Sequence, residues 1–205
     1  MMKKEFIPFD TVRNNAIKLA ARIHRDFGVP DIIYVSLRGG AAMGNVISEY
    51  FQLRSPDKKV LYAAVVAKSY NDIFVADPQV TVEGWTRSPD SLRSGDKILL
   101  VDDIFDTGRT VNHLVRLLVD HGMSRADIAV AVHDYKFRTY DHHLLAFHPD
   151  FYCRRHVIHR PEDDFWIHYL SHELKSLTRE EVERYYLNGD GELHEALTFI
   201  LNPKT

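Results

Sequence analysis

The sequence lacks the features that mark secreted and membrane proteins. It holds one cysteine, Cys153, among 205 residues, so no internal disulfide can form, and this suits a reducing compartment. No apolar run approaches the roughly 20 residues that a membrane-spanning helix needs. The basic start of the chain is not followed by the apolar segment of a signal peptide. We therefore expect a cytoplasmic protein without a membrane partner.

A strong excess of charge of one sign is missing as well. The chain has 26 lysines and arginines against 29 aspartates and glutamates, and the basic residues are spread along it. We therefore expect no nucleic-acid partner held by bulk charge. An anionic ligand has to be bound by a loop and a few placed cations. The hydrophobic share of 45% is enough to fill the core of one domain.

What the sequence does contain is an alternation of helical and strand patterns. A first helix is predicted after Asp10, its expected N-cap, and closes at Gly28, which can adopt the left-handed conformation. Four buried strands are predicted at residues 32–37, 60–67, 97–101 and 128–132, and two further helices at residues 41–52 and 111–122. This order favours an α/β fold, a parallel twisted sheet flanked by helices, with ligands at the carboxyl ends of the strands.

Two stretches carry weaker patterns. Residues 69–95 lack a clean period, and we predict a long loop with a short hairpin around residues 80–82. Near the end of the chain, Thr178 and Glu181 have the spacing of a capping box, and the Gly-Asp-Gly at residues 189–191 predicts a turn before a last helix. We therefore expect a helical C-terminal tail.

Residues 98–110, with the sequence ILLVDDIFDTGRT, carry the chemistry. A strand of four apolar residues leads to Asp102 and Asp103, and a short loop then opens a helix. The N–H groups at a helix N-terminus favour an anion, and Gly108 lets the backbone approach a phosphate closely. Two adjacent carboxylates suit ribose hydroxyls or a hydrated Mg²⁺. A phosphate loop beside such acceptors describes a ribose 5-phosphate site.

The same segment resembles the motif with which type I phosphoribosyltransferases bind phosphoribosyl pyrophosphate (PRPP). That motif has four apolar residues, two acids, two variable residues and then Asp-Thr-Gly-x-Thr, and the whole pattern is present. The resemblance implies binding of PRPP and Mg²⁺ at Asp102 and Asp103. It implies binding of the 5′-phosphate by a loop made of Asp106, Thr107, Gly108, Arg109 and Thr110. It also implies that Asp106 is the catalytic acid/base near N7 of a purine. The alternative is a plain strand-to-helix turn.

Two further segments resemble parts of that family. Arg38, Gly39 and Gly40 follow a buried strand, as does the loop that meets pyrophosphate, although most Arg-Gly-Gly tripeptides are ordinary turns. Ser69 and Tyr70 are similar to the start of the mobile lid in hypoxanthine-guanine phosphoribosyltransferases, and an ordinary strand end is the alternative. A lid would keep water away from the reacting ribose.

The resemblance also implies how a base is recognised. Lys136 would meet the exocyclic oxygen of a purine, Trp166 would stack on its ring, and a main-chain group of Ile167 would read its edge. Glu173, seven residues after Trp166, would help to hold a pyrophosphate-side Mg²⁺, where the family usually has aspartate. The alternatives are a solvated Lys136 and a Trp166 that only covers the core. Because a C6 oxygen needs a donor, a 6-oxopurine (hypoxanthine, guanine or xanthine) is the expected substrate.

In this interpretation residues 1–137 form the PRPP-binding core. Residues 138–205 form a small base-recognition hood with the helical tail, which is not an independent domain. The family also implies a homodimer or homotetramer.

Two other functions compete with this interpretation. A PRPP-sensing regulator would keep the fold and the phosphate loop without catalysis, although the chain has no helix-turn-helix extension. A metal hydrolase is suggested by eight of the twelve histidines, which lie between His133 and His172. No H-E-x-x-H or comparable set of ligands accompanies them.

Overall fold

The computed structural model describes residues 3–69, 80–140, 145–187 and 189–197. The strands are β1 (Lys3–Ile7), β2 (Ile32–Leu37), β3 (Leu61–Ser69), β4 (Val80–Trp85), β5 (Ile98–Phe105), β6 (Ile128–Arg138), β7 (Phe151–Ile158) and β8 (Phe165–Tyr169). The helices are α1 (Phe9–Asp26), α2 (Ala41–Arg54), α3 (Arg109–Asp120), α4 (Arg179–Val182), which one π-helical turn (Glu183–Leu187) continues, and α5 (Gly191–Ala196).

A six-stranded sheet in the order β4-β3-β2-β5-β6-β7 forms the centre of the molecule. All of its pairs are parallel except β3 with β4, which is antiparallel and contains the predicted hairpin segment. Side chains alternate between its two faces. Val35 and Leu99 face the core formed with α1 and α2, whereas Tyr34 and Leu100 face the core formed with α3. The predicted α/β fold, a parallel sheet flanked by helices, is confirmed.

A second, two-stranded sheet pairs β1 with β8 in parallel, with Glu5 opposite Ile167. Its residues Ile7, Ile167 and Tyr169 belong to the same buried cluster as α1 and α2. Strand β8, from the segment predicted to form the hood, thus pairs with a strand from the start of the chain, which satisfies its backbone groups. The division of the chain at residue 137 stays a prediction, although β6 continues through Arg138.

Three of the predicted strands run past their expected ends, β3 by two residues and β5 and β6 by more. Strand β5 continues through both aspartates to Phe105, and β6 continues to Arg138. Periodicity of apolar residues stops at the first charged residue, but backbone pairing does not. Ile104 pairs with Asp134, and Lys136 pairs with His156. Strand β7 was not predicted, because its sequence FYCRRHVI places three basic residues in the middle.

The ends of the helices follow the predictions with one correction. Helix α1 begins at Phe9 with Pro8 as its N-cap, because the Pro8 carbonyl oxygen already accepts from the Thr11 and Val12 amides. The prediction of Asp10 as the N-cap was wrong, and Asp10 lies in the first turn. At the other end Gly28 adopts φ +95°, as expected.

The C-terminal tail contains the predicted capping box. The Thr178 hydroxyl accepts from the Glu181 amide at 3.2 Å, and a Glu181 carboxylate oxygen accepts from the Thr178 amide at 2.8 Å. After the turn at residues 189–190, Asp190 caps α5. Among the helices that the structure describes, none is long and apolar enough to cross a bilayer.

Candidate active site

The Arg-Gly-Gly turn after β2 lies against the acidic end of β5. A Cβ atom on Gly39 would lie 2.3 Å from Asp103 Oδ1, and one on Gly40 would lie 2.6 Å from the Val101 carbonyl oxygen. Only glycine therefore fits at residue 40, where the obstacle is backbone, whereas a side chain at residue 39 would displace the Asp103 carboxylate. Arg38, Gly39 and Asp103 line one wall of a cleft of about 1040 Å³, whose other wall comes from the segment after β8. The structure thus brings the predicted pyrophosphate loop and Asp103 together.

The two neighbouring carboxylates of β5 differ in their surroundings. Asp102 Oδ1 accepts from the Asp103 amide at 3.0 Å. Burial, followed by the adjacent charge of Asp103, raises the pKa of Asp102 well above its ordinary value. Asp103 Oδ2 lies 3.2 Å from Nε2 of His172, and this hydrogen bond is the main cause that raises the pKa of His172.

The loop between β5 and α3 has the shape of an anion cradle. Gly108 adopts φ +73° directly before the first residue of the helix, and a Cβ atom there would lie 2.2 Å from the Phe105 ring. The loop and the two acids line a concavity of about 180 Å³, formed by Asp102, Asp103, Ile104, Asp106, Thr107, Gly108, Thr110 and Val111. Arg109, which the motif also includes, is the first residue of α3.

Asn112 fixes this loop from below, a role that the sequence did not indicate. Its side chain is buried and donates to the Gly108 carbonyl oxygen at 3.0 Å and to the Phe147 carbonyl oxygen at 2.8 Å. Its amide oxygen accepts from the Phe147 amide at 2.9 Å. Because both ends of one amide are satisfied, the cradle has a fixed backbone before any ligand arrives.

A cluster of four charges joins the head of the phosphate loop to the segment before β8. Arg138 donates to Asp106 Oδ1 and, at 2.6 Å, to the Asp106 carbonyl oxygen. Its Nε donates to Asp164 Oδ2 at 2.7 Å. Lys136 Nζ lies 3.0 Å from Asp164 Oδ1 and 3.4 Å from Asp106 Oδ1. Sequence reasoning missed Arg138 and Asp164, since both partners come from distant segments.

Mutual pairing sets the charges within this cluster. Burial lowers the pKa of Arg138, but the contacts with Asp106 and Asp164 outweigh it, so the net change is upward. Burial raises the pKa of Asp164, yet hydrogen bonds from Lys136 and Arg138 bring it below the ordinary value. Arg138 and Asp164 are therefore expected to stay charged at neutral pH.

The predicted base-binding residues do not meet at one place. Lys136 is 5% exposed, which removes the alternative of a solvated lysine, and it contacts Phe165 through both the carbonyl oxygen and the ring, with Nζ 5.2 Å from the ring centroid. Trp166 points the other way, is 45% exposed and lines the large cleft, so it does not merely cover the core. Ile167 is buried in the core, which leaves only its main chain for a ligand. Their roles in binding a base stay predictions.

The predicted metal-holding residue lies seven residues after the stacking aromatic. Counted from Trp166, that residue is Glu173, and counted from Phe165, it is His172. His172 is the residue that contacts Asp103. Glu173 accepts from the Tyr169 amide at 3.1 Å and lies 3.5 Å from His168 Nδ1, so its carboxylate has other partners. The predicted metal role of Glu173 stays a prediction.

Within the described ranges no three or more histidine, cysteine, aspartate or glutamate side chains converge as a metal site. The clustered histidines of the sequence therefore give the metal-hydrolase alternative no support there, and His142 and His143 lie outside the described residues. Asp102 and Asp103 fit Mg²⁺ of the kind that keeps several waters and binds through one or two carboxylates plus ligand phosphates. Two adjacent carboxylates beside a concavity are a suitable place for a cation. Of the predicted lid, Ser69 is the last residue of β3 and Tyr70 lies outside the described residues.

Comparison with known proteins places this geometry in a family. The sequence model of the phosphoribosyl transferase domain matches residues 10–168. The chain is similar to an adenine phosphoribosyltransferase of Aeromonas salmonicida, with 34% identity over 120 residues, 57% of this chain and 62% of that protein. It is also similar to a probable purine biosynthesis transcriptional regulator PurR of Streptococcus pneumoniae, with 26% identity over 122 residues, 58% of this chain and 43% of that one. The chain thus spans less than two thirds of these curated relatives.

Among solved structures, a purine phosphoribosyltransferase from Pyrococcus horikoshii Ot3 is similar with a TM-score of 0.63. The superposition covers 86% of this chain and 98% of that one, at 18% sequence identity. At this identity the likeness concerns the fold alone.

Proposed function

Because the chain belongs to the phosphoribosyl transferase domain family, we propose that it is a purine phosphoribosyltransferase acting on a 6-oxopurine. It transfers the 5-phosphoribosyl group of PRPP to hypoxanthine, guanine or xanthine and gives the nucleoside 5′-monophosphate and pyrophosphate. The observation that carries the proposal is the position of Lys136, whose Nζ lies 3.4 Å from Asp106 at the head of the phosphate loop. A donor for a C6 oxygen thus stands beside the cradle for ribose 5-phosphate.

The proposed PRPP site divides the ligand among three segments. The amides of the loop at residues 106–110 bind the 5′-phosphate, which the start of α3 favours through its dipole. Asp102 and Asp103 accept from the ribose hydroxyls. Arg38 and the backbone of the two glycines after it bind the pyrophosphate, whose charge increases as it leaves.

Mg²⁺ belongs to the same proposal. Asp102 and Asp103 are the residues that would hold it, together with oxygens of PRPP and water. When bound, the ion neutralises negative charge on the pyrophosphate. Every other contribution comes from the side chains and backbone of the chain itself.

In the proposed reaction, N9 of the base forms a bond to C1′ of the ribose while the bond from C1′ to the pyrophosphate oxygen breaks. Asp106 takes the proton from N7 of the base. Arg138 keeps this carboxylate in place, because it binds both the side chain and the carbonyl oxygen of Asp106. Lys136 already has three acceptors, and its contact with Asp106 is the longest. The C6 oxygen of the base replaces that contact.

The first test measures pyrophosphate release from PRPP and Mg²⁺ with hypoxanthine, guanine, xanthine, adenine and orotate supplied in turn. We expect release with one or more 6-oxopurines, and none when the base is omitted. Release with adenine alone would favour the activity named for the Aeromonas relative and contradict the base assignment. Release with orotate alone would contradict the purine class.

A second candidate function is a PRPP-binding regulator, which the similarity to the pneumococcal regulator favours. Such a protein would bind PRPP through the same loop without turnover. Calorimetry with PRPP and Mg²⁺ separates the two candidates. Binding that is accompanied by no release with any of the five bases would identify the regulator.

A further inference from the structure

A fully buried carboxylate lies outside the site proposed for PRPP. Asp134, on β6, is 0% exposed. Its Oδ2 accepts from His133 Nδ1 at 2.6 Å and lies 2.7 Å from the Tyr169 hydroxyl. Its Oδ1 lies 2.6 Å from His156 Nε2 and 2.9 Å from Arg154 Nε. Four donors from three strands thus surround one buried charge.

His133 also connects this group to helix α1. Its Nε2 lies 3.0 Å from Asn15 Nδ2 on α1, and an amide nitrogen can only donate. His133 Nε2 is therefore the acceptor, and the ring proton sits on Nδ1, which donates to Asp134. Burial raises the pKa of Asp134, but the hydrogen bonds from His133 and His156 outweigh it and hold that pKa below its ordinary value. Asp134 therefore remains an acceptor.

Tyr169 connects this buried carboxylate to the site. Its hydroxyl lies 2.7 Å from Asp134 Oδ2 and 3.1 Å from the carbonyl oxygen of Asp103, and its single proton can serve either acceptor. Burial, and then the charges of Asp134 and Asp103, raise the pKa of Tyr169 far above its ordinary value, so the proton stays on the hydroxyl. The donor is permanent.

The ring of Tyr169 reaches the same aspartate by a second route. It stacks on the ring of His172, with centroids 5.5 Å apart and planes at 16°. His172 Nε2 in turn lies 3.2 Å from Asp103 Oδ2. Tyr169 therefore contacts the backbone of Asp103 through a hydroxyl whose one proton is shared with Asp134, and it reaches the carboxylate of Asp103 through His172.

We propose that Tyr169, anchored by Asp134, is the positioning residue that sets Asp103 for PRPP. This inference rests on the proposed function and deepens it. Tyr169 lies on β8 and Asp103 on β5, so the same contact also fixes the hood sheet against the carboxyl ends of the central strands. Held in this way, Asp103 meets the ribose without first being ordered, which favours binding of PRPP.

Tyr169→Phe tests the proposal, because it keeps the ring, its burial and its stacking on His172 while removing the hydroxyl. The matched control is Tyr34→Phe. Tyr34 is also 0% exposed, and its hydroxyl donates to the Arg87 carbonyl oxygen at 3.0 Å, in the other core. Both variants lose one buried hydroxyl that contacts a backbone carbonyl oxygen.

For Tyr169→Phe we expect the KM for PRPP to rise about tenfold and the KM for the base to change less than about twofold. Tyr34→Phe leaves both constants unchanged. An unchanged KM for PRPP in Tyr169→Phe overturns the proposal. Equal increases in both constants do so as well, because a merely structural role would weaken both ligands alike.

A double-mutant cycle shows whether the hydroxyl acts through Asp103. Added to Asp103→Asn, the loss of the hydroxyl should change the KM for PRPP less than about twofold, since Asp103 no longer contributes its charge. A further tenfold increase would mean that Tyr169 acts on another group and would contradict the proposal.

Amide hydrogen exchange of the ligand-free protein separates this inference from the proposed function. Tyr169→Phe should speed exchange at residues 102–105 and in β8 about tenfold, and Tyr34→Phe should not. If the wild-type protein releases no pyrophosphate, the proposed function fails, yet exchange still decides whether Tyr169 fixes this segment. Unchanged exchange refutes the inference under either outcome.

Discussion

Aspartates within two neighbouring strands, β5 and β6, have opposite surroundings. On β5, Asp102 and Asp103 lie side by side at a cleft, and neither has a lysine or arginine as an ion-pair partner within the described residues. On β6, one strand away, Asp134 is fully buried and surrounded by four donors. The strands are paired in register, with Ile104 opposite Asp134.

The difference appears in the direction of the pKa changes. Burial and the neighbouring charge raise the pKa of Asp102, whereas hydrogen bonds outweigh burial and lower the pKa of Asp134. A carboxylate whose two oxygens already accept hydrogen bonds from the protein stabilises the fold. A carboxylate that costs stability and faces a cleft has capacity left for a ligand. The comparison thus separates a structural acid from candidate functional acids without reference to any relative.

The largest expected effect comes from removing Asp134, the buried carboxylate with four donors around it. Asp134→Ala leaves His133, Arg154 and Tyr169 without their shared acceptor, and we expect the free energy of unfolding to fall by about 3–5 kcal/mol. Urea denaturation at pH 7 measures this. Asp57→Ala, in an exposed turn, is the control and should change stability by less than about 0.5 kcal/mol. A loss below about 1 kcal/mol for Asp134→Ala would end the view of Asp134 as a structural centre.

The second effect concerns Asp106, a carboxylate that has ion-pair partners but remains partly exposed. Asp106 is paired with Arg138 and Lys136, yet its side chain is 41% exposed. For Asp106→Asn we expect kcat to fall about 100-fold or more, because asparagine cannot take the N7 proton, with much less change in the KM for PRPP. Steady-state kinetics with the preferred base provides the measurement. Asp163→Asn, at an exposed ion pair with Arg160, should behave as wild type, and unchanged turnover in Asp106→Asn would remove Asp106 from the mechanism.

The smallest expected effect has the opposite sign. A carboxyl whose pKa is higher in the folded state than in the unfolded state opposes folding once it is ionised, and this cost disappears as the pH falls below its unfolded pKa. Asp102→Asn should therefore raise the free energy of unfolding at pH 7 by about 1 kcal/mol in buffer without Mg²⁺ or PRPP. The gain should shrink on acidification towards pH 4.

Denaturation at the two pH values checks the sign. Asp134, whose pKa is lowered, should show the reverse dependence, since its contribution is present above the unfolded pKa and is lost on acidification. Destabilisation by Asp102→Asn at pH 7 would contradict the comparison.

Much of the fold could be predicted, because buried parallel strands appear as short apolar runs. Strands β2, β3, β5 and β6 all contain such runs and were expected. The bounds of β2 were predicted as observed, whereas the ends of β3, β5 and β6 were set too early. Strands β1, β7 and β8 escaped prediction. Polar residues in β1 and β7 reach partners across the fold, such as Glu5 with Arg154, and these pairs hide the strand pattern.

The candidate site divides in the same way. The loop between β5 and α3 could be predicted because strand, loop and helix start lie within residues 98–110. In the structure Gly108 adopts the left-handed conformation directly before α3. The predicted base-binding residues could not be placed equally well from the sequence. A one-residue difference in a strand turns a side chain to the other face, so Phe165 and not Trp166 contacts Lys136.

The sequence by itself determined the α/β class, the loop between β5 and α3 and the adjacent acids, since each depends on residues close together in the chain. Only the tertiary structure decided which carboxylates are fully hydrogen-bonded within the protein and which remain accessible to a ligand. Arg138 meets Asp106 across 32 residues, and Tyr169 meets Asp103 across 66. The pKa and the availability of a carboxylate depend on every donor and charge within a few ångströms, and strand order rather than sequence distance sets those neighbours.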